Sequence, residues 1–470
     1  MGKGKTTSLI KECNKPKYGK DGQKRFIIAV TLKTEIERIL AEVKEVSCKT
    51  QRINGHKLEH LKEQIKKGEN IVCTHSLFNM IDDEVIQLIK ESKFSYDLYH
   101  DEQPITFTGI FGGVSEGNFS GKASGKTKEE RAWNERLLAK IGEDEIYSLF
   151  KAGILVRESN LTEKEVNDFT DSVCYKRIVL NKNHKIASKT IFKPFYEFMK
   201  AHTLYAYGDN NTNEYIPTTL IAFTKIDVFT AFSEVWVLSY LIKDSILENY
   251  LKLNLINKED IHYYHVQDNE FIEGYEYEYP SNLARLSIYN ENNDNLDTAL
   301  SKADYLKYKK EDFELLYSSS RNFVRKMTNK EPSIKNCIVT TFSGYEDKIK
   351  KGRKKFANKC FVPCNIKATN DYQEITEVIY LCDRYINPLL KQFLEQLNIR
   401  FNEKLFALSE IVQLVWRSNI RVQDSIKTVH VYIPNKRMRD IFSEWLVDGK
   451  NIEVKQSNHS TENNISITVN

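Results

Sequence analysis

No stretch of 18 or more residues in this chain is free of charge, which removes the first requirement for a membrane-spanning helix. The most apolar candidate, residues 216–242, is interrupted by Lys225, Asp227 and Glu234. The opening Met1-Gly2-Lys3-Gly4-Lys5 lacks the apolar core of a secretory leader. Eight cysteines scattered over 470 residues make no disulfide framework. Cys360 and Cys364 are the closest pair, but no second pair or histidine follows at zinc-ligand spacing. Buried thiols in a reducing, cytoplasmic setting are the expectation. A strong charge balance is missing too: 69 Lys and Arg against 65 Asp and Glu leave only +4. Such a balance neither demands nor excludes nucleic acid, because a basic groove needs local clustering rather than a high total. No internal repeat is present.

What remains is ordinary globular composition, 41% hydrophobic and 29% charged, in a chain long enough for two or three domains. Short β-rich runs alternate with helical patterns, which predicts a parallel-sheet α/β fold. Residues 26–31 and 70–74 read as strands, 35–46 as a helix between them, and 96–100 as a shorter third strand. From Gly109 to Asn213 the rhythm breaks. A Gly/Ser-rich run (112–125) gives way to a charged helical pattern (128–141) and further helix near 192–202, so a helical insertion is expected there. The α/β rhythm returns at 218–223 and at 336–342. The expected organisation is a first domain over 1–250, a second over 251–455, and a flexible polar tail over 456–470.

Three constellations carry chemistry. Gly4-Lys5-Thr6-Thr7 leads into a helical segment and matches the end of a phosphate-binding loop. There glycine lets backbone N–H groups approach phosphate, lysine reaches the β and γ oxygens, and threonine ligates magnesium. The first glycine of the full pattern and the strand before it would lie ahead of Met1, and taken alone this start also suits a flexible terminus. Gly125-Lys126-Thr127 repeats the tripeptide without an apolar strand before it, and is read as a decoy. The second constellation is Asp101-Glu102, closing the strand 96–100 about ninety-five residues after Thr6. In that position Asp101 would hold the magnesium shell and Glu102 would polarise the attacking water. The third is Gln413, Arg417 and Arg421. If 402–421 is one helix, the three share a narrow face opposite Leu408, Ile411, Val412, Val415 and Trp416. Arginines so held can stabilise charge on a transferring phosphoryl group.

Together these residues resemble a superfamily-two helicase of the DEAD/DEAH-like kind, in the divergent form common in phages and prophages. The resemblance implies two RecA-like domains, the ATP loop and acidic box on the first and an arginine-bearing segment on the second. It implies Gly4, Lys5, Thr6 and Thr7 around ATP, Thr6 and Asp101 around Mg²⁺, and Glu102, Asp101, Gln413, Arg417 and Arg421 in catalysis. The usual glycines around the last motif are absent, and Arg421 sits one residue late. Thr31-Leu32-Lys33 and Cys73-Thr74-His75-Ser76 stand where such proteins touch nucleic-acid backbone. Thr230-Ala231 stands at the coupling motif, and 368–372, with Thr369, at a second-domain motif touching nucleotide and strand.

The implied partner is nucleic acid, DNA before RNA, with replication or recombination proteins as further partners. Phosphate contact needs clustered Lys and Arg. Lys348, Lys350, Lys351, Arg353, Lys354 and Lys355 place six charges within eight residues, and Lys436, Arg437 and Arg439 form a smaller group. Two other readings stand beside a helicase or translocase. One is a packaging-type or nuclease-associated motor, although no nuclease carboxylate cluster follows. The other is a truncated, non-catalytic nucleic-acid-binding protein.

Overall fold

Phe26-Ile27-Ile28-Ala29-Val30 is apolar at every position. Such a run suits a parallel sheet covered on both faces and not one open to water on one side. The computed structural model describes residues 4–19, 22–44, 48–50, 57–104, 107–111, 114–116, 153, 155–157, 175–180, 200–209, 216–254, 261–275, 279–280, 282–289, 298–349, 360–363 and 371–462. It divides into two units, one of residues 6–261 and 387–401, the other of the described residues of 1–5, 262–386 and 402–470. Both contain a five-stranded parallel sheet, so the α/β class expected from the alternation of strands and helices is the class the chain has.

In the first unit the strands are β1 (Lys24–Val30), β2 (Cys48–Thr50), β3 (Asn70–Thr74), β4 (Ser95–Asp101), β5 (Phe107–Phe111), β6 (Val114–Glu116), β7 (Leu155–Arg157), β8 (Tyr175–Leu180), β9 (His202–Asp209), β10 (Ile216–Thr224) and β11 (Glu234–Leu238). Its helices include α1 (Lys5–Cys13), α2 (Lys33–Glu42), α3 (Lys57–Lys66), α4 (His75–Phe78), α5 (Asp83–Lys90), α6 (Ile226–Thr230) and α7 (Ile246–Asn254). The parallel sheet runs β11-β4-β1-β3-β2. Ile27 pairs with Ile71 through to Val30 with Thr74, and Lys24 with Ser95 through to Ala29 with His100. Because all five strands point the same way, the loops leaving β1, β3, β4 and β11 emerge at one edge. Phe26 to Val30 are fully buried, and each large apolar side chain so placed contributes roughly 1.5–3 kcal/mol.

The opposite edge is closed by polar anchors. Asn70, 3% exposed, accepts from the Phe26 N–H at 3.0 Å and donates to the Tyr18 carbonyl at 2.8 Å, adding one rung beyond the β1–β3 ladder. Arg25 donates to the carbonyls of Gly68, Gly19, Gly22 and Lys24 and lies over the Phe94 ring at 3.9 Å. Gly68 sits at φ +66, and a Cβ there would meet Phe94 at 2.1 Å, so only glycine fits this turn without a shift. Asp97 is fully buried. It accepts from the Tyr18 hydroxyl at 2.7 Å and pairs with Lys24 at 3.2 Å. Burial pushes its carboxyl above the usual carboxylate range, and those two partners work against that push.

The segment 109–213 differs from expectation in its described residues, which are mostly strands. With the flanking β5 and β10 they build an antiparallel sheet in the order β6-β5-β10-β9-β8-β7. The helical patterns over 128–141 and 192–199 lie outside the described residues. The run 218–223 is a strand, β10, but it pairs antiparallel with β5 and β9 instead of resuming the parallel sheet. An apolar run alone does not state the direction of its neighbours.

In the second unit a hairpin of β12 (Tyr264–Gln267) and β13 (Glu270–Glu273) precedes β14 (Leu286–Tyr289), β15 (Cys337–Thr341), β16 (Phe361–Pro363), β17 (Glu377–Tyr380) and β18 (Val429–Tyr432). The last five form a parallel sheet in the order β14-β18-β17-β15-β16. Its helices include α8 (Lys302–Lys307), α9 (Lys310–Thr328), α10 (Glu346–Ile349), α11 (Glu403–Val415) and α12 (Lys436–Glu462). Phe313, Leu316, Phe323 and Val324 of α9 bury against Val339, Ile379 and Tyr432. The tail expected to be flexible from 456 is helical as far as Glu462. Among the described residues no helix is long and apolar enough to cross a membrane.

Replacing Asn70 by Ala leaves the Phe26 N–H and the Tyr18 carbonyl without the partner they share. A loss of about 2 kcal/mol is expected, read as a lower urea midpoint at unchanged slope. A loss below about 0.5 kcal/mol would mean that water serves both groups equally well.

Candidate functional site

The chain bends directly after β4. Leu238 of β11 pairs with Asp101, the last residue of β4, and the Glu102 N–H donates to the Leu238 carbonyl at 3.1 Å. The Glu102 carbonyl is held by His100 Nδ1 at 2.8 Å. A carbonyl only accepts, so His100 carries its proton on Nδ1. Between these two ties the Glu102 backbone takes φ 70, the left-handed region that costs an L-residue roughly 1–2 kcal/mol. Leu241 and Asp244, just beyond β11, share this left-handed region.

Around Glu102 the ends of β1 and β3 supply polar side chains. Thr31, one residue past β1, donates from Oγ1 to Glu102 Oε2 at 3.5 Å and lies 3.4 Å from His75 Nδ1. His75, the first residue of α4, stacks on His100 with ring centroids 4.1 Å apart. Phe78 meets His100 edge-on at 5.0 Å and walls this end of the sheet with apolar surface. Thr74 caps α4 by accepting from the Leu77 N–H at 3.4 Å. Thus Thr31, Thr74, His75, His100, Asp101 and Glu102 are gathered at the C-terminal ends of adjacent parallel strands, where open α/β sheets bind ligands.

The remaining sequence candidates fall as follows. Gly4 has φ 78, and Lys5, Thr6 and Thr7 form the first turn of α1, with Thr7 exposed and the other two half-buried. Asp101 is half-buried. Mg²⁺ in such sites takes one or two protein carboxylates, with substrate phosphates and water completing its shell, so a single aspartate and a threonine hydroxyl fit it chemically.

The third constellation does not keep its expected geometry. Helix α11 stops at Val415, so Gln413, Arg417 and Arg421 do not share one helical face. Ser418 caps a short turn over Asn419–Arg421, where Asn419 donates to the Gln373 carbonyl at 2.9 Å and accepts from Arg285 at 2.8 Å. Gln413 is half-buried, Arg417 buried and Arg421 exposed. Thr230 ends α6 and Ala231 caps it. Thr369, Lys351 and Arg353 lie outside the described residues, as do Lys350, Lys354, Lys355, Cys364 and the tripeptide 125–127.

The smaller basic group is engaged within the protein. Lys436 pairs with Asp440 at 2.5 Å, Arg437 with Asp383 at 2.7 Å, and Arg439 donates to the Ile433 carbonyl at 2.8 Å. Sequence reasoning missed two residues at the mouth of β17, Asp383 (8% exposed), which pairs with Arg437, and Arg384. Arg384 pairs with Glu410 at 2.5 Å, and the Arg437 guanidinium covers the Tyr385 ring at 3.9 Å. The signal was present. Asp383-Arg384 closes an apolar run, Val378 to Cys382, as Asp101-Glu102 closes β4.

Residues 281–446 match the family model described as the YonV C-terminal Rossmann-like domain. This span holds the whole sheet of β14 to β18. Over 460 residues the chain is 24% identical to the SPbeta prophage-derived uncharacterized protein YonV of Bacillus subtilis (strain 168), covering 95% of this chain and 97% of that protein. Among solved structures it is similar to one described as XPD_APO, at 10% identity and a TM-score of 0.41 over 91% of this chain and 90% of the other. A second similar structure is S. tokodaii Xpd4, at 12% identity and a TM-score of 0.41 over 94% of this chain and 91% of the other.

If the left-handed conformation at Glu102 is held in solution, Glu102→Gly will be more stable than Glu102→Ala by about 1 kcal/mol, the reverse of the usual preference within strands and helices. Paired urea titrations decide it. Equal stability, or an advantage for Ala, would show that the turn relaxes when the carboxylate is removed.

Proposed function

We propose that the chain is an ATP-driven nucleic-acid motor, a helicase or translocase of the superfamily-two kind. The observation that carries this reading is the acidic pair at the end of β4. Asp101 closes a central parallel strand, and Glu102 is fixed beside it in a left-handed turn, a placement suited to one carboxylate for a metal and one for water. Gly4, Lys5, Thr6 and Thr7, with a left-handed glycine followed by a helical first turn, are the residues that would hold the phosphates. When bound, Mg²⁺–ATP supplies the phosphoanhydride whose cleavage releases the driving energy.

The chain's own groups divide the remaining work. Asp101 and Thr6 are the metal-holding oxygens, and Lys5 neutralises phosphate charge. Glu102 orients the attacking water and accepts its proton. Thr31, Thr74 and His75 are the nucleic-acid side of the same edge, with Thr369, Lys351 and Arg353 as further backbone contacts. Gln413, Arg417 and Arg421 are the proposed second-domain contributors, with Arg417 ahead of Arg421. DNA is the preferred polymer, and a phage replication or recombination setting accords with the prophage-derived relative.

ATP hydrolysis measured with and without single-stranded DNA and RNA, for the full chain and for Glu102→Gln, tests the proposal. Polymer-stimulated turnover that falls at least a hundredfold in the variant, the scale of losing one positioned acid–base group, is expected. Turnover that survives the substitution sinks the assignment of the acidic box. Salt-sensitive polymer binding without any turnover would make the chain a binding protein instead.

A further inference from the structure

Tyr385, just beyond the end of β17, is an exposed ring held in place by buried groups. It is 46% exposed, although the Arg437 guanidinium covers one face at 3.9 Å from the ring centre. Arg437 is itself fixed. Its Nη1 donates to Asp383 Oδ1 at 2.7 Å and to the Arg384 carbonyl at 3.0 Å. Asp383 is 8% exposed, and its N–H donates to the Leu300 carbonyl at 2.8 Å. Asn435 accepts from the Met438 N–H at 2.9 Å and donates to the Thr298 carbonyl at 3.0 Å. That pair of bonds anchors the start of α12, which carries Arg437. Three segments therefore immobilise one ring. A tyrosine supported in this way for stability alone would bury the ring, because burial is what an aromatic side chain contributes to a core. This one presents a rigid π-face to solvent at little entropic cost.

The ring also stands where open parallel sheets take ligands. After β15 the chain moves outward to β16, and after β17 it moves the opposite way to β18. The crevice between the C-terminal ends of β15 and β17 is thus the switch point of this sheet. Arg384 spans it, lying 5.6 Å from the ring centre of Phe342 beyond β15. The charges there select the ligand. Arg437 is paired with Asp383 and Arg384 with Glu410, so neither guanidinium offers the uncompensated charge that draws phosphate. What is offered is an aromatic face backed by a guanidinium, which suits a nucleobase.

We propose that Tyr385 is a stacking platform for one base of a single strand lying at the strand ends of the second unit. Arg437 backs the ring, and Asp383 and Asn435 fix Arg437. Every base has a π-face, so such a platform grips a strand without reading its sequence. The inference rests on the nucleic-acid side of the reading above and adds a base contact at residues outside those named there.

The test measures binding by the full chain, without nucleotide, of a single-stranded DNA oligonucleotide and of an abasic oligonucleotide of equal length. Tyr385→Ala is expected to weaken the base-bearing strand about 5- to 150-fold, the range for losing one base–aromatic stack. Its affinity for the abasic strand and the salt dependence of both should stay as in wild type. Tyr385→Phe keeps the ring and should keep the affinity. A 2-aminopurine in the strand should be quenched on binding to wild type and to Tyr385→Phe, and less so with Tyr385→Ala.

Three results overturn the inference. Equal weakening of both strands in Tyr385→Ala would make the residue structural. Unchanged affinity for both would make the ring idle. Weakened ATP binding with unchanged strand affinity would assign the ring to the adenine of the nucleotide. A wild-type chain that binds neither strand removes the nucleic-acid reading and this inference with it, whereas a chain that binds without turning over ATP fails only the ATPase reading.

Discussion

Parallel register is the constraint on which the site depends. Because β1, β3, β4 and β11 all run the same way, residues far apart in the chain leave the sheet at one edge. Thr31, His75, Glu102 and Leu238 meet there although 207 positions separate the first from the last. The pairing of Ala29 with His100 and of Val30 with Thr74 sets which side chains become neighbours. A slip of one residue would turn His100 to the other face of the sheet and break its hold on the Glu102 carbonyl. The site therefore inherits its precision from the buried apolar strands beneath it, whose side chains tolerate no such slip.

The two edges of that sheet are built differently. At the N-terminal edge Arg25, Asn70, Asp97 and Tyr18 are buried, with hydrogen bonds of 2.6–3.0 Å among their contacts. Removing any partner strands another buried polar group, so the edge is rigid. At the C-terminal edge the side-chain links among Thr31, His75 and Glu102 lie at 3.4–3.5 Å in half-buried surroundings. Such links hold a side chain in place and give way to a ligand with little penalty. Rigidity at one end and exchangeable polar groups at the other are what a scaffold for ligand-linked chemistry requires.

Elements governed by continuous local patterning were legible in the sequence. The strand over 70–74 appears with its expected bounds, and β1, β4 and β15 fall within a residue or two of expectation. The helix expected over 402–421 did not extend so far, and its failure has a physical cause. Its apolar stripe continues through Trp416 and Ile420, so periodicity alone prolongs it. The chain turns out at Ser418 because Asn419 is claimed by Gln373 and Arg285. Partners 46 and 134 residues away leave no trace in a local pattern. The same holds for β10, whose apolar run would read alike in a parallel or an antiparallel sheet.

The candidate site was legible only in pieces. Thr31, His75 and Glu102 each stood in a short motif of ordinary composition, and residue spacing could not reveal that one hydroxyl lies between the other two. Nor could it reveal the left-handed turn, since Asp-Glu pairs are common in turns of every kind. The structure adds a proton inventory to the motif. Glu102 accepts, Thr31 has one hydrogen to give, and His75 Nδ1–H meets the lone pair that Thr31 offers.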